Sequence, residues 1–90
     1  MARSERVRQA LACLQRGDWE GAHELIAEDP SDEAAWLHAH LHRLEGDLSN
    51  ARYWYRRAGR PEATGALATE RAELLAALEW TDDRTRPTPA

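Results

Sequence analysis

Phenylalanine and lysine are missing from these 90 residues, and cysteine and methionine occur once each. With no phenylalanine and few β-branched residues there is little from which to build a sheet, whereas the abundant leucine and alanine favour helix. A lone Cys13 excludes an intramolecular disulfide, and its place on the apolar side of a first helix reads as a small buried hydrophobe. No apolar run approaches the roughly 20 residues of a membrane span. No apolar segment follows Met1-Ala2-Arg3-Ser4-Glu5-Arg6 either, so no export signal is visible and the cytoplasm is the expected compartment. Twelve basic residues, all arginine, face 16 acids for a formal net charge of −4. That balance lacks the general positive field that non-specific nucleic-acid binding needs.

What is present is a repeat. Gly17-Asp18-Trp19-Glu20-Gly21-Ala22 and Gly46-Asp47-Leu48-Ser49-Asn50-Ala51 lie 29 residues apart, each between two helix-like segments. This is the pattern of a tandem helical hairpin. The expected fold is all-α: a five-helix antiparallel stack of two short hairpins and a C-terminal capping helix, one domain over 1–80 followed by a disordered tail over 81–90.

Local signals place the helices. Ser4 can cap the first, whose stripe is Val7, Ala10, Leu11 and Leu14 at i, i+3, i+4, i+7 spacing. Gly17 stops it, and Asp18 offers an N-cap for a second helix with Trp19, Ala22, Leu25 and Ile26 on one face. Asp29-Pro30 ends that helix and starts the next, with aspartate as the expected cap and proline at the first helical position. The third helix spans roughly Ser31 to Glu45, with Leu37, Leu41 and Leu44 as its stripe and His38, His40 and His42 interleaved. Gly46 stops this helix and Asp47 caps the fourth. After Gly59-Arg60-Pro61, the residues Ala66, Leu67, Leu74, Leu75 and Leu78 mark a fifth helix ending near Trp80.

Trp36, Ala39, Gly46-Asp47, Ala51, Tyr55, Ala58 and Pro61 together resemble the tetratricopeptide signature, shortened from its usual 34-residue period. The resemblance implies paired helices that approach closely through small residues and present a concave groove. Residues 36 to 59 resemble more narrowly the signature of a family of short, mostly bacterial helical proteins. Its pattern is Trp36-x-His38-x3-His42-Arg43-x-Glu45-Gly46-Asp47-x2-Asn50-Ala51-x-Tyr53-Trp54-Tyr55-Arg56-Arg57-Ala58-Gly59. That implies that the second hairpin is what such proteins share, and carries no mechanism with it.

Chemistry-bearing residues concentrate in this hairpin. His38 and His42 are four apart on one helix with Glu45 a turn later, a two- or three-ligand platform that His23 or Asp47 could complete. No His-Glu-x-x-His order is present, no complete metal set is written locally, and the sequence asks for no cofactor. The bland alternative is that both imidazoles are partly buried and bonded to the fourth helix. The sharper one is a polar seam in which His38, His42, Arg43, Glu45, Asn50 and Tyr53 converge, which would need a complete hydrogen-bond network or a ligand. Tyr53-Trp54-Tyr55 crowds three aromatics into one turn, so they cannot all face one core. Tyr55 is the core candidate, which leaves Tyr53 or Trp54 to contact the fifth helix, another chain or a ligand, the fifth helix being the bland reading. Trp36 with His40 and Arg43 at the next turns would line a groove suited to an extended acidic peptide. Arg52, Arg56, Arg57 and Arg60 read as a solvated stripe neutralised by Glu20, Glu24, Glu70 and Glu73.

With no complete catalytic set, the leading expectation is a non-enzymatic module that binds a protein or peptide through the second hairpin, at Trp36, His38, His42, Arg43, Glu45, Asn50, Tyr53 and Trp54. The competing expectation is a small metal-binding protein or enzyme around His38, His42 and Glu45. So short a stack also leaves ends that further copies of the chain could cover.

Overall fold

The computed structural model describes residues 5–82, with side chains for 5–78. Five helices follow one another: α1 (Glu5–Gln15), α2 (Trp19–Ile26), α3 (Asp32–Leu44), α4 (Leu48–Ala58) and α5 (Leu67–Asp82). No strand occurs among the described residues. Helices α1 and α2 pack as one hairpin and α3 and α4 as a second, with α5 laid on α3. None of the described helices is long and apolar enough to cross a membrane. Ser4 and residues 83–90 lie outside the described residues, and α5 itself runs on through Thr81 to Asp82.

The repeated turn seen in the sequence is a repeated geometry. Gly17 and Gly46 take φ values of 79° and 81°, a left-handed conformation that costs glycine little because it has no Cβ. Beyond each glycine the aspartate N–H reaches back five residues, Asp18 to the Cys13 carbonyl and Asp47 to the His42 carbonyl, both at 2.9 Å. This closes the preceding helix by satisfying carbonyls left without partners at its end. The same aspartates then start the next helix: Asp18 Oδ1 accepts from the Gly21 N–H at 2.9 Å and Asp47 Oδ1 from the Asn50 N–H at 3.3 Å. Helix α3 is capped by Ser31, whose hydroxyl accepts from the Ala34 N–H. Asp29 instead accepts from the Ser31 N–H in the connecting turn.

The stripes of α1 and α2 are buried as their periodicity predicts, through Val7, Ala10, Leu11 and Leu14 and through Ala22 and Ile26. Helix α3 departs from its stripe. Every residue from Ala34 to His42 is buried, because α3 touches all four other helices. A helix enclosed on all sides must bury whatever polar residues it carries. Here those are His38, His40 and His42, and how each is accommodated defines the functional geography of the molecule.

Candidate metal centre

At about 100° per residue, Trp36, His40 and Arg43 fall on one line of α3, and His38, His42 and Glu45 on another roughly 200° away. The first line faces α5 and the second faces α2 and α4. Each becomes a buried polar cluster, and the two are built differently.

On the α5 side the centre is Glu70, only 3% exposed. Its Oε1 accepts from His40 Nδ1 and Arg43 Nη1, both at 2.8 Å. Its Oε2 accepts from Trp36 Nε1 at 3.0 Å and from the Tyr55 hydroxyl. Arg43 continues to the Gly65 carbonyl, and Arg71 Nε donates to His40 Nε2 at 3.4 Å. The acceptor role of that nitrogen fixes the neutral Nδ1–H tautomer of His40, the form that donates to a carboxylate. Burial alone would raise the Glu70 carboxyl, but the bonds from His40, Tyr55, Arg43 and Trp36 outweigh it and hold the pKa down at about 2. Burial and the adjacent carboxylate push the Tyr55 phenol up. A fixed anion with two donors on each oxygen and a phenol that stays protonated make a structural lock.

On the other side three imidazoles meet. His23 from α2 stands edge-on to His38, ring centroids 4.6 Å apart, and His38 stacks on His42 at 5.0 Å. One ring nitrogen from each of the three lies within 4.8 Å of the others. Indoles wall the group: Trp54 lies flat on His38 with centroids 3.8 Å apart, and Trp19 lies flat on His23 at 5.0 Å. Trp19 is itself fixed by Nε1 donating to the Leu41 carbonyl at 2.9 Å. Glu45 Oε1 holds His42 Nδ1 at 2.6 Å, which leaves Nε2 of His42 as its free nitrogen. His38 Nδ1 is buried with no hydrogen-bond partner. Burial first, then the neighbouring His23 and His42, lower the His38 pKa to about 4. Burial and then His42 lower His23 as well. Both rings are therefore neutral at pH 7 and keep a lone pair free, the state in which imidazole ligates a metal.

Zinc with nitrogen ligands at about 2.0–2.1 Å spaces them roughly 3.3 Å apart, so a set whose nitrogens lie within 4.8 Å of one another would have to contract to close around an ion. Imidazole donors suit zinc, copper and nickel, and a carboxylate on the far nitrogen of a ligating histidine orients the ring and raises its basicity. Glu45 has that relation to His42. A second group, His42, Glu45 and Asp47, also brings donor atoms within 4.8 Å. It is the poorer cation site: Asp47 caps the positive end of α4 and accepts from both the N–H and the side-chain amide of Asn50.

Of the six residues expected to converge, His38, His42 and Glu45 stay together. Arg43 is one position beyond His42 and so turns to the Glu70 side. Asn50 bonds to Asp47, and Tyr53 remains 46% exposed, edge-on to Trp54. No hydrogen bond joins His38 to α4; its contact there is the Trp54 ring, which lies on α3 rather than on α5. Trp36, His40 and Arg43 do share a face, but α5 covers it and Glu70 takes the acidic position, while the Arg60 guanidinium lies 3.5 Å from the Trp36 ring centroid. In the arginine stripe Arg52 pairs with Glu62, and Glu70 is no surface neutraliser.

Two residues central to these clusters are understated by the sequence. Glu70 has a signal: it sits at helical spacing with Leu67, Leu74 and Leu78, on the stripe that α5 buries. His23 has a weaker one, its position one turn after Trp19. The chain matches no family model, no curated protein and no solved structure, so function is argued from the site itself.

Proposed function

We propose that this protein binds one late first-row transition-metal ion through His23, His38 and His42, with Glu45 orienting His42 from behind. The observation that carries the reading is the cluster of three imidazoles, one of which, His38, has a buried Nδ1 without a partner. Leaving such an atom unpaired costs about 1–3 kcal/mol, and evolution can remove the cost simply by placing an apolar residue there. An ion ligated by the cluster gives the imidazoles a use that packing does not. The helices contribute rigidity: two ligands one turn apart on the most enclosed helix, the third from the adjoining hairpin, and indoles limiting the positions the rings can take.

Binding of a peptide along Trp36, His40 and Arg43 has less behind it, since α5 covers that strip. The ion reading is tested by calorimetric titration of chelator-treated, untagged protein with Zn2+. One ion per chain is expected for the wild type, and no stoichiometric uptake for a His38→Ala/His42→Ala variant that retains its helical spectrum. Equal uptake by both proteins, or none by the wild type, would reject the site.

A further inference from the structure

We infer that the bound ion acts as a staple between the two hairpins, so that metal occupancy sets how firmly α2 docks on α3. The inference rests on the ion-binding reading above and adds its consequence for the molecule.

The three ligands are divided between the hairpins. His38 and His42 belong to α3, and His23 is the contribution of α2. The joint they span is thin. Helix α2 has eight residues and fully buries only Ala22 and Ile26. Among the described residues, the side-chain hydrogen bond recorded across the α2–α3 joint is Trp19 Nε1 to the Leu41 carbonyl. Beside it lie ring contacts, His23 on His38 and on His42 and Trp19 on His42. The α3–α4 hairpin is tied more heavily, since Tyr55 of α4 and three side chains of α3 share the Glu70 carboxylate.

His38, whose Nδ1 has no partner, is one of the rings that His23 meets at this joint. With an ion, opening must break a nitrogen–metal bond from His23. The first hairpin is accordingly the part of the chain whose local opening responds most to metal, whereas α4 opens only when the Glu70 lock is also lost.

Amide hydrogen exchange on the full chain tests this, with Zn2+ as the probe. In chelator-treated protein the amides of α2 (19–26) are expected to exchange faster than those of α4 (48–58). With free Zn2+ at about 100 times its Kd, any opening that releases the ion is suppressed up to roughly 100-fold, so the local opening of α2 is expected to slow by up to that factor, as unfolding of the whole chain does. A His23→Ala variant keeps two ligands and is expected to lose the slowing of α2; the wild-type comparison decides the matter if that variant does not fold. If one Zn2+ binds per chain and α4 slows but α2 does not, the staple is overturned while ion binding stands. If no Zn2+ binds, both fall.

Discussion

On one side of α3, the residues at 36, 40 and 43 surround a carboxylate from α5; on the other, the residues at 38, 42 and 45 meet a histidine from α2. Both sets have the same i, i+4, i+7 spacing and come from one enclosed helix. The Glu70 side brings two donors to each carboxylate oxygen and pairs both nitrogens of His40. The other side leaves His38 Nδ1 with nothing. A buried polar network that is fully satisfied is explained by the fold it holds together; one with an atom to spare asks for another reason, and the proposed ion is that reason. On that proposal the two clusters divide a structural role from a binding role across about 10 Å, one helix diameter.

The largest effect is expected on the satisfied side. Glu70→Ala leaves Arg43, His40, Trp36 and Tyr55 facing an empty acceptor position, and breaking such a buried charged set by removing one member costs about 3–5 kcal/mol. At roughly 4–8 °C of melting temperature per kcal/mol for a domain of this size, thermal unfolding followed by circular dichroism should show a fall of more than about 12 °C, or no folded baseline. A shift of only a few degrees would mean that the lock is not one.

Acid should dissect the two clusters in separate windows. His38 is held at about 4 in the fold against 6.5 unfolded, so the unfolded chain takes up the proton first and stability declines as pH falls from 6.5 toward 4. Glu70 is held at about 2 against 4.5. Its contribution, roughly 3 kcal/mol, is complete above the unfolded value and disappears as pH falls from 4.5 toward 2. Melting temperatures of chelator-treated protein should therefore decline in two stages. A flat profile from 6.5 to 4.5 would contradict the buried, neutral state assigned to His38.

His38→Leu sharpens the comparison from the other direction. It replaces the orphaned ring with an apolar side chain, so stability without metal is expected within about 1 kcal/mol of wild type and on the stabilising side, while Zn2+ uptake is lost. Chemical denaturation measures the first and calorimetry the second. A destabilisation comparable to that of Glu70→Ala would show that the imidazole is there for packing.

Much of the architecture was legible because it is local. Aspartates following glycines, apolar residues at three- and four-residue spacing, and proline-marked breaks each act within one turn of chain, and Asp18, Asp47, Leu11, Ile26 and Tyr55 occupy the places those signals assign. The clusters were legible only in half. His38, His42 and Glu45 could be aligned on one face, as could Trp36, His40 and Arg43. Their partners, however, come from positions 23 and 70, and periodicity says which residues share a face without saying what faces them. Enclosure of α3 on every side is likewise a tertiary fact. Its leucine stripe alone predicts one buried face, and the expected six-residue polar seam failed because Arg43 lies a third of a turn beyond His42.

The central claim is that the imidazole side of α3 is a site for an ion. Crystals of the full chain grown with Zn2+ and measured at the zinc absorption edge should show one anomalous peak bounded by His23, His38 and His42, with none beside Asp47. Absence of that peak, or density only among His42, Glu45 and Asp47, would contradict it.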